Sequence, residues 1–350
     1  QVTARLRVQT DHVAMWVQED VWHDVRKLGA AAEFFETQVY STTRAVFGSE
    51  WTPGVDNDPH IHILHVGDLD GGMMGYTSAA DEFPRSVYPY SNEAELIVVS
   101  LSTVEIGSPA YYALLARQFQ RLVQWYNDRN EERWLKEGLA ELAVWVNGLD
   151  PGDVWQVYLE NPDTSLTAWD DETTAAHRGA AFLFAVYFHE RFGDAATRAL
   201  TAEPLNGAAS FDAVMAGLDG RLTFEDLFAG WLTANYLDGK ASDSFYGYAT
   251  LDLERPALAA NYTAYPATLN GSVQQFGADY IRLRGSADLR VHFTGTMTVP
   301  LLPVEPHSGR HVWWSNRADQ SLTTLTHAFD LTGVSTATLT YWAWYDLEPG

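Results

Sequence analysis

Two stretches bring together charged side chains that could do chemistry. ARQFQRLVQW carries Arg117, Gln118 and Arg121, and WLKEGLAELA carries Glu137 and Glu141. Positions four apart share one face of a helix, so Arg117 and Arg121 point the same way if the first stretch is helical. A guanidinium stays protonated in proteins and has no lone pair to give a metal. Gln118 cannot accept a proton as a general base. Arginine instead makes forked contacts with carboxylates. The expectation is an ion-pair cluster in which Arg117 and Arg121 reach Glu137, with Glu141 as a further acceptor. The competing reading is an ordinary amphipathic helix, with Phe119, Leu122 and Val123 inward and the arginines solvated.

Other residues offer weaker chemistry. His60 and His62 project to the same side of a strand and suit either a metal pair or half-buried polar roles; His65 lies in the same run. Asp56 and Asp58 in GVDNDP have the D-x-D spacing of a calcium loop, but the glycine and glutamate of an EF-hand are missing. A polar turn is the competing reading there. Asp170, Asp171 and Glu172 precede a helix, where acids favour the dipole. No G-x-S-x-G elbow and no phosphate-binding G-x-x-x-x-G-K-[ST] loop occurs. Aspartates and glutamates are abundant, and nothing singles out a glycosidase pair. Trp313, Trp314, Tyr341, Trp342, Trp344 and Tyr345 form either a sugar platform or a strand covered on both faces.

The elements that must position these groups fall into two textures. Thr3 to Val17 reads as an edge strand or extended arm. A helix is expected over 19–47, ended by Gly48, and buried strands at IHILHV (61–66) and LIVVSL (96–101). Ser108-Pro109 opens a helix to about Tyr126. A second covers 131–146, stopped by Asn147-Gly148, and a third covers 174–192, closed by Gly193. Shorter helices follow at 210–216 and 223–236. Beyond a linker or wrapping segment, runs at 279–283, 289–293, 311–314, 323–329 and 337–345 read as strands of a β-sandwich. An aromatic strand, YWAWY, lies near the end and wants a partner, so the last domain reads as incomplete.

Composition removes several classes. The chain has 350 residues, no cysteine, 46 acidic against 22 basic residues and a net charge of −24. Disulfides, thiol nucleophiles and cysteine-held metals are excluded. Binding to nucleic acid through phosphates is disfavoured, as it needs clustered Lys and Arg. No apolar run is long enough to span a bilayer, so membrane insertion is not expected. The opening QVTARLRVQT lacks the apolar core of a signal peptide.

The segment WLKEGLAELA resembles the WLNEGxAE segment of gluzincin zinc metallopeptidases, and the frame LAxxFQxLVQW before it resembles peptidases of the immune inhibitor A and surface-layer type. HRGAAFLFAVYFHERFG and the C-terminal GRHVWWSNRADQSLTTLTHAFDLTGVSTATLTYWAWYDLE are similar to later segments of the same proteins. The resemblance implies an α+β fold, with a gluzincin-like helical and sheet peptidase domain at 1–250, a linker at 251–264 and a β-sandwich-type domain at 265–350. It implies that Glu137 matches the third zinc ligand, that Arg117 and Arg121 stand where two histidines would be, and that Gln118 replaces the catalytic glutamate. His177 matches a group that steadies an oxyanion. Zinc is expected to be lost, no other cofactor is expected beyond a calcium candidate at Asp56 and Asp58, and no catalytic set is intact. The implied protein is a pseudopeptidase, extracellular or on a cell surface, that holds a peptide or protein partner in the former cleft or self-assembles. The alternatives are an active secreted peptidase using Glu137, Glu141 and His177, and a sugar-binding surface protein using the aromatic β domain.

Overall fold

The computed structural model describes residues 2–169, 173–218, 220–238, 244–296, 302–315 and 322–346. The acidic run Asp170, Asp171 and Glu172 therefore lies outside the described residues. The architecture is mixed α+β. A five-stranded sheet has the order β1 (Ala4–Gln9), β2 (Val13–Gln18), β3 (Ile61–Val66), β5 (Leu96–Ser100), β4 (Gly75–Thr77). β2, β3 and β5 run parallel, while β1 and β4 are antiparallel edges. The expected single arm at the N-terminus is thus a hairpin of two strands.

Alternation explains why these runs form strands. In β2 and β3 the residues Val13, Met15, Val17, Ile61 and Ile63 turn into the main core, joined from β5 by Ile97 and Val99. The opposite face carries a small cluster around Val66, Leu96 and Val98. β5 is buried on both faces, as a continuous apolar run requires.

The helices cover the main-core face. α1 (Val25–Phe34) starts at Asp24, whose side chain accepts from the Arg26 and Lys27 amides. It passes through a π-helical stretch, Phe35–Tyr40, into α2 (Ser41–Phe47). The expected helix start at residue 19 is corrected to 25, because Asp24 caps there and Trp22 is exposed. Gly48, with φ of 100°, ends the run as expected. α3 (Pro109–Asn127) is capped by Ser108, whose hydroxyl accepts from the Tyr111 amide, with Pro109 at its first position. α4 (Arg133–Val146) follows after a short loop and stops at Asn147-Gly148.

α5 (Val154–Glu160) is a further helix beyond those expected from the sequence. α6 (Thr174–Thr201) consists of two helical arms joined at Gly193, where φ is 74°. The expected end at Gly193 is a break, after which the chain turns back into helix. α7 (Ala208–Leu218) and α8 (Phe224–Leu237) complete the layer. Trp134 stacks on Phe211, and Phe184 meets Trp134, Phe224 and Trp231 edge-on or nearly so. This aromatic block fixes α4 against α6, α7 and α8.

The segment after α8 continues to pack on the helices. Leu253 joins the core, Ala257 N donates to Leu159 O at 2.7 Å, and Phe276 lies edge-on to Phe224 and Phe228. β6 (Ala260–Tyr262) and β7 (Ile281–Leu283) form a separate parallel pair. The β-sandwich expected for 265–350 is not shown. Among the described residues beyond 283 there is no strand, and Phe293, Trp313, Tyr341 and Tyr345 are exposed. Strand-like sequence is not enough to form a sheet, because a ladder needs a partner strand and an apolar face to cover.

His65 sits in β3 as a satisfied core histidine. Its Nδ1 donates to the Trp16 carbonyl at 2.9 Å, and its Nε2 accepts from the Tyr111 hydroxyl at 2.8 Å. Burial, countered only in part by the Trp16 bond, pushes its pKa down to about 4. The unfolded chain therefore binds the extra proton between the ordinary value near 6.5 and about 4, so stability rises with pH across that window. Urea unfolding from pH 7 to 4.5 should show a loss approaching ~1.4 kcal/mol per pH unit from this group. The slope should shrink in His65→Phe; an unchanged slope would remove His65 as its source.

Candidate functional site

The charged stretches singled out from the sequence meet where α3, α4 and α6 converge. Arg117 Nε and Nη2 donate to Glu141 Oε1 and Oε2 at 2.8 and 2.7 Å, a closed fork. Arg121 Nη2 donates to Glu137 Oε1 at 2.6 Å. A step of four residues forward on α3 matches a step of four back on α4, as expected of antiparallel neighbours joined by a short loop. That register corrects the expectation that both arginines reach Glu137: each takes its own carboxylate. Both arginines are paired and not merely solvated, although Arg121 stays 31% exposed. Glu141 is 2% exposed, Arg117 14% and Glu137 15%.

A third guanidinium completes the cluster. Arg178, on α6, places Nε 3.6 Å from Glu137 Oε2. Arg178 is the residue next to His177, the candidate the sequence suggests. Gly138 explains how α6 comes so near: a Cβ there would lie 2.7 Å from the Ala181 carbonyl oxygen. Burial alone would raise the Glu137 pKa, but the charges of Arg121 and Arg178 outweigh it and hold the carboxyl below its ordinary range. Glu137 is thus a carboxylate at neutral pH.

His177 turns elsewhere. It is buried, its Nδ1 donates to the Ser165 carbonyl at 2.7 Å, and its ring stacks on Trp169. It lines a cavity of about 730 Å³ with Ser165, Ala176, Ala257 and Gln274. Gln118 is buried on α3, and its Oε1 has no hydrogen-bond donor.

These residues do not fit zinc. Arg117 and Arg121 have no lone pair to give a metal, and both glutamates are already engaged by guanidiniums. A lone carboxylate does not supply the three protein ligands a catalytic zinc takes.

The second candidate region lies at the start of β3. Asp56, Asp58 and His62 bring one ligand atom each within 4.8 Å of one another. His62 Nε2 lies 3.6 Å from Asp56 Oδ2 and 3.8 Å from Asp58 Oδ2. The Trp16 indole donates to His62 Nδ1 at 3.0 Å. A neutral ring that accepts at Nδ1 carries its proton on Nε2, so the edge facing the aspartates is a donor. His60 does not pair with His62; its Nδ1 contacts Asp58 and its Nε2 meets Gln9. Asp58 N also donates to Asp56 Oδ1 at 2.9 Å, a polar turn.

A third feature is not legible in the sequence because its two members, Glu82 and Glu95, stand 13 residues apart with a loop between them. Glu82 and Glu95 are each 2% exposed. Both Glu82 oxygens and Glu95 Oε1 receive no hydrogen bond from a donor group. Burial and the neighbouring Glu95 charge push the Glu82 pKa well up. One proton is held by the pair at neutral pH, since two like charges in contact cannot both ionise cheaply. Gly54 makes room for Glu95, as a Cβ there would meet Glu95 Oε2 at 2.1 Å.

No family model matches the chain, and no curated protein matches it. Among solved structures it is similar to an M1 zinc metallopeptidase from Deinococcus radiodurans, a mutant bound to a Tyr-Ser-Ala substrate. The TM-score is 0.37 and the identity 13%, covering 66% of this chain and 51% of that chain. The chain thus spans about half the length of that protein, and so distant a likeness carries no argument about activity.

Two outcomes are expected from this geometry. Arg117→Met should destabilise by about 3–5 kcal/mol, because it leaves Glu141 buried and unpaired, while Arg117→Met with Glu141→Leu should recover most of that loss. Chemical denaturation of both singles and the double measures the coupling; additive losses would contradict a closed buried pair. Glu82, with its pKa raised on folding, contributes stability present below the ordinary carboxylate range and lost as pH rises through its folded value. Glu82→Gln should therefore gain stability relative to the parent as pH climbs from 6 to 9 in thermal melts, and a constant difference would contradict the shared proton.

Proposed function

We propose that this chain is a zinc-peptidase-like scaffold that has exchanged its metal for an ion-pair cluster, and that it acts by binding or as a structural unit. The single observation carrying this reading is the pairing of Arg117 with Glu141 and Arg121 with Glu137. Arg117 and Arg121 stand where the sequence resemblance places the metal-binding histidines, and Glu137 where it places the third ligand. Guanidinium forks bridge α3 and α4 much as a shared ion would, and Gln118 supplies no base. The reading therefore has a scaffold function without hydrolysis.

The partner is proposed to be a peptide or protein segment lying in the former cleft, or another copy in an assembly. An extracellular or cell-surface setting follows from the resemblance alone. No helix of the described residues is long and apolar enough to cross a membrane. The competing reading, a peptidase using Glu137, Glu141 and His177, has less support. Glu141 is held by Arg117, and His177 is turned to Ser165.

Metal analysis decides between them. The purified chain should carry far less than one zinc per molecule and leave casein intact. Arg117→His, Gln118→Glu and Arg121→His together should take up close to one zinc per molecule, as measured by mass spectrometry of the metal. Stoichiometric zinc in the parent, or casein cleavage abolished by a chelator, would overturn the proposal. Failure of the folded triple variant to bind zinc would remove the alignment behind it.

A further inference from the structure

The cluster does not close its own charge. Three guanidiniums, Arg117, Arg121 and Arg178, face two carboxylates, Glu137 and Glu141. Arg117 and Glu141 satisfy each other through two bonds. Glu137 is left to Arg121 and Arg178 together, so among the described residues one positive charge remains. Arg121 uses one N–H on Glu137. Arg178 makes no hydrogen bond among the described residues; its Nε is buried and stops 3.6 Å from Glu137 Oε2, an ion pair without a hydrogen bond.

The two side chains reach water from different helices, with Arg121 31% and Arg178 39% exposed. They converge on one carboxylate whose own charge cannot satisfy both. Guanidinium presents its N–H groups in a planar fork that matches a carboxylate. The chain as a whole carries −24, which repels anions at long range. An anion is therefore held here only by close, directional contacts, which favours a ligand whose other atoms also bind. A peptide seated along the cleft meets that condition, whereas a small free anion has nothing else to hold it.

We propose that Arg121 and Arg178 bind a peptide carboxylate, at a chain end or on an acidic side chain, in the space between α3 and α6. This rests on reading the helix junction as a binding cleft, and it adds the chemical class of the ligand. Glu137 acts as the positioning residue: it holds both guanidiniums to one spot while neutralising one of them.

The test titrates the full chain, at low salt, with four probes followed by calorimetry or NMR. They are Ala-Ala-Ala with a free carboxylate, its C-terminal amide, an acetylated and amidated Ala-Glu-Ala, and inorganic phosphate. The expected result is saturable binding of a carboxylate peptide, weakened about tenfold, or ~1.4 kcal/mol, when the carboxylate is replaced by an amide. Arg178→Gln should weaken it by a similar factor with little change in melting temperature, and Arg178→Lys should restore part of it. Arg178-dependent binding of the Ala-Glu-Ala peptide with none of Ala-Ala-Ala would assign the carboxylate to a side chain. Equal binding of acid and amide, no peptide binding at millimolar concentration, binding of phosphate alone, or affinity unchanged in Arg178→Gln would each overturn the proposal. The acid and amide comparison on the parent chain stands even where a variant does not fold. Zinc content of the same preparation separates the two readings: stoichiometric zinc removes the pseudopeptidase, while amide-insensitive binding by a zinc-free chain removes only this inference.

Discussion

Charge withdrawn from water between α3, α4 and α6 has to be matched where it sits, because an unpaired buried ion costs several kcal/mol. That constraint organises the centre of this molecule. Glu141 is almost fully buried, so a cation must reach it, and Arg117 does so with a two-bond fork. Glu137, 15% exposed, draws two cations, from α3 and α6. The three helices are bound to one another by this demand as well as by their apolar faces.

Packing supplies the geometry within which the charges meet. Gly138 lets α4 approach the backbone of α6, and the next residue toward the N-terminus is the carboxylate that the cluster shares. Trp134, one turn before it, is anchored among Phe211, Phe184 and Phe224. A rigid aromatic block therefore sets the height of Glu137 above the core. Ion pairs of this depth add little net stability over apolar packing, but they are selective, since each group rejects any neighbour that cannot neutralise it.

Elsewhere the same low-polarity interior produces opposite solutions for titratable groups. His65 is held neutral by burial and by a donor and an acceptor suited to the neutral ring. Glu82 and Glu95 keep a proton between them because burial and the neighbouring charge disfavour ionising both. His62 is presented to Asp56 and Asp58 with its proton outward, as the Trp16 indole occupies its other nitrogen. In each case the partner on one side of a ring or carboxyl decides what its other side can do.

Local chemistry made a good part of this legible without coordinates. Ser108-Pro109, Gly48 and Asn147-Gly148 mark helix ends through capping and left-handed backbone, and those are properties of the residues themselves. The alternation in IHILHV and the continuous run LIVVS identify strands by the faces they bury. The absence of imidazole and of a general base at 117, 118 and 121 follows from residue type alone. Which carboxylate each arginine takes does not follow, because it depends on the antiparallel register of α3 and α4. Arg178 joining the cluster, and Glu82 meeting Glu95, depend on contacts between distant segments. The aromatic runs near the end of the chain have strand-like patterning, yet no ladder forms among their described residues. Patterning expresses what one segment can bury, whereas pairing and charge matching are settled only when a second segment arrives at a particular distance and angle.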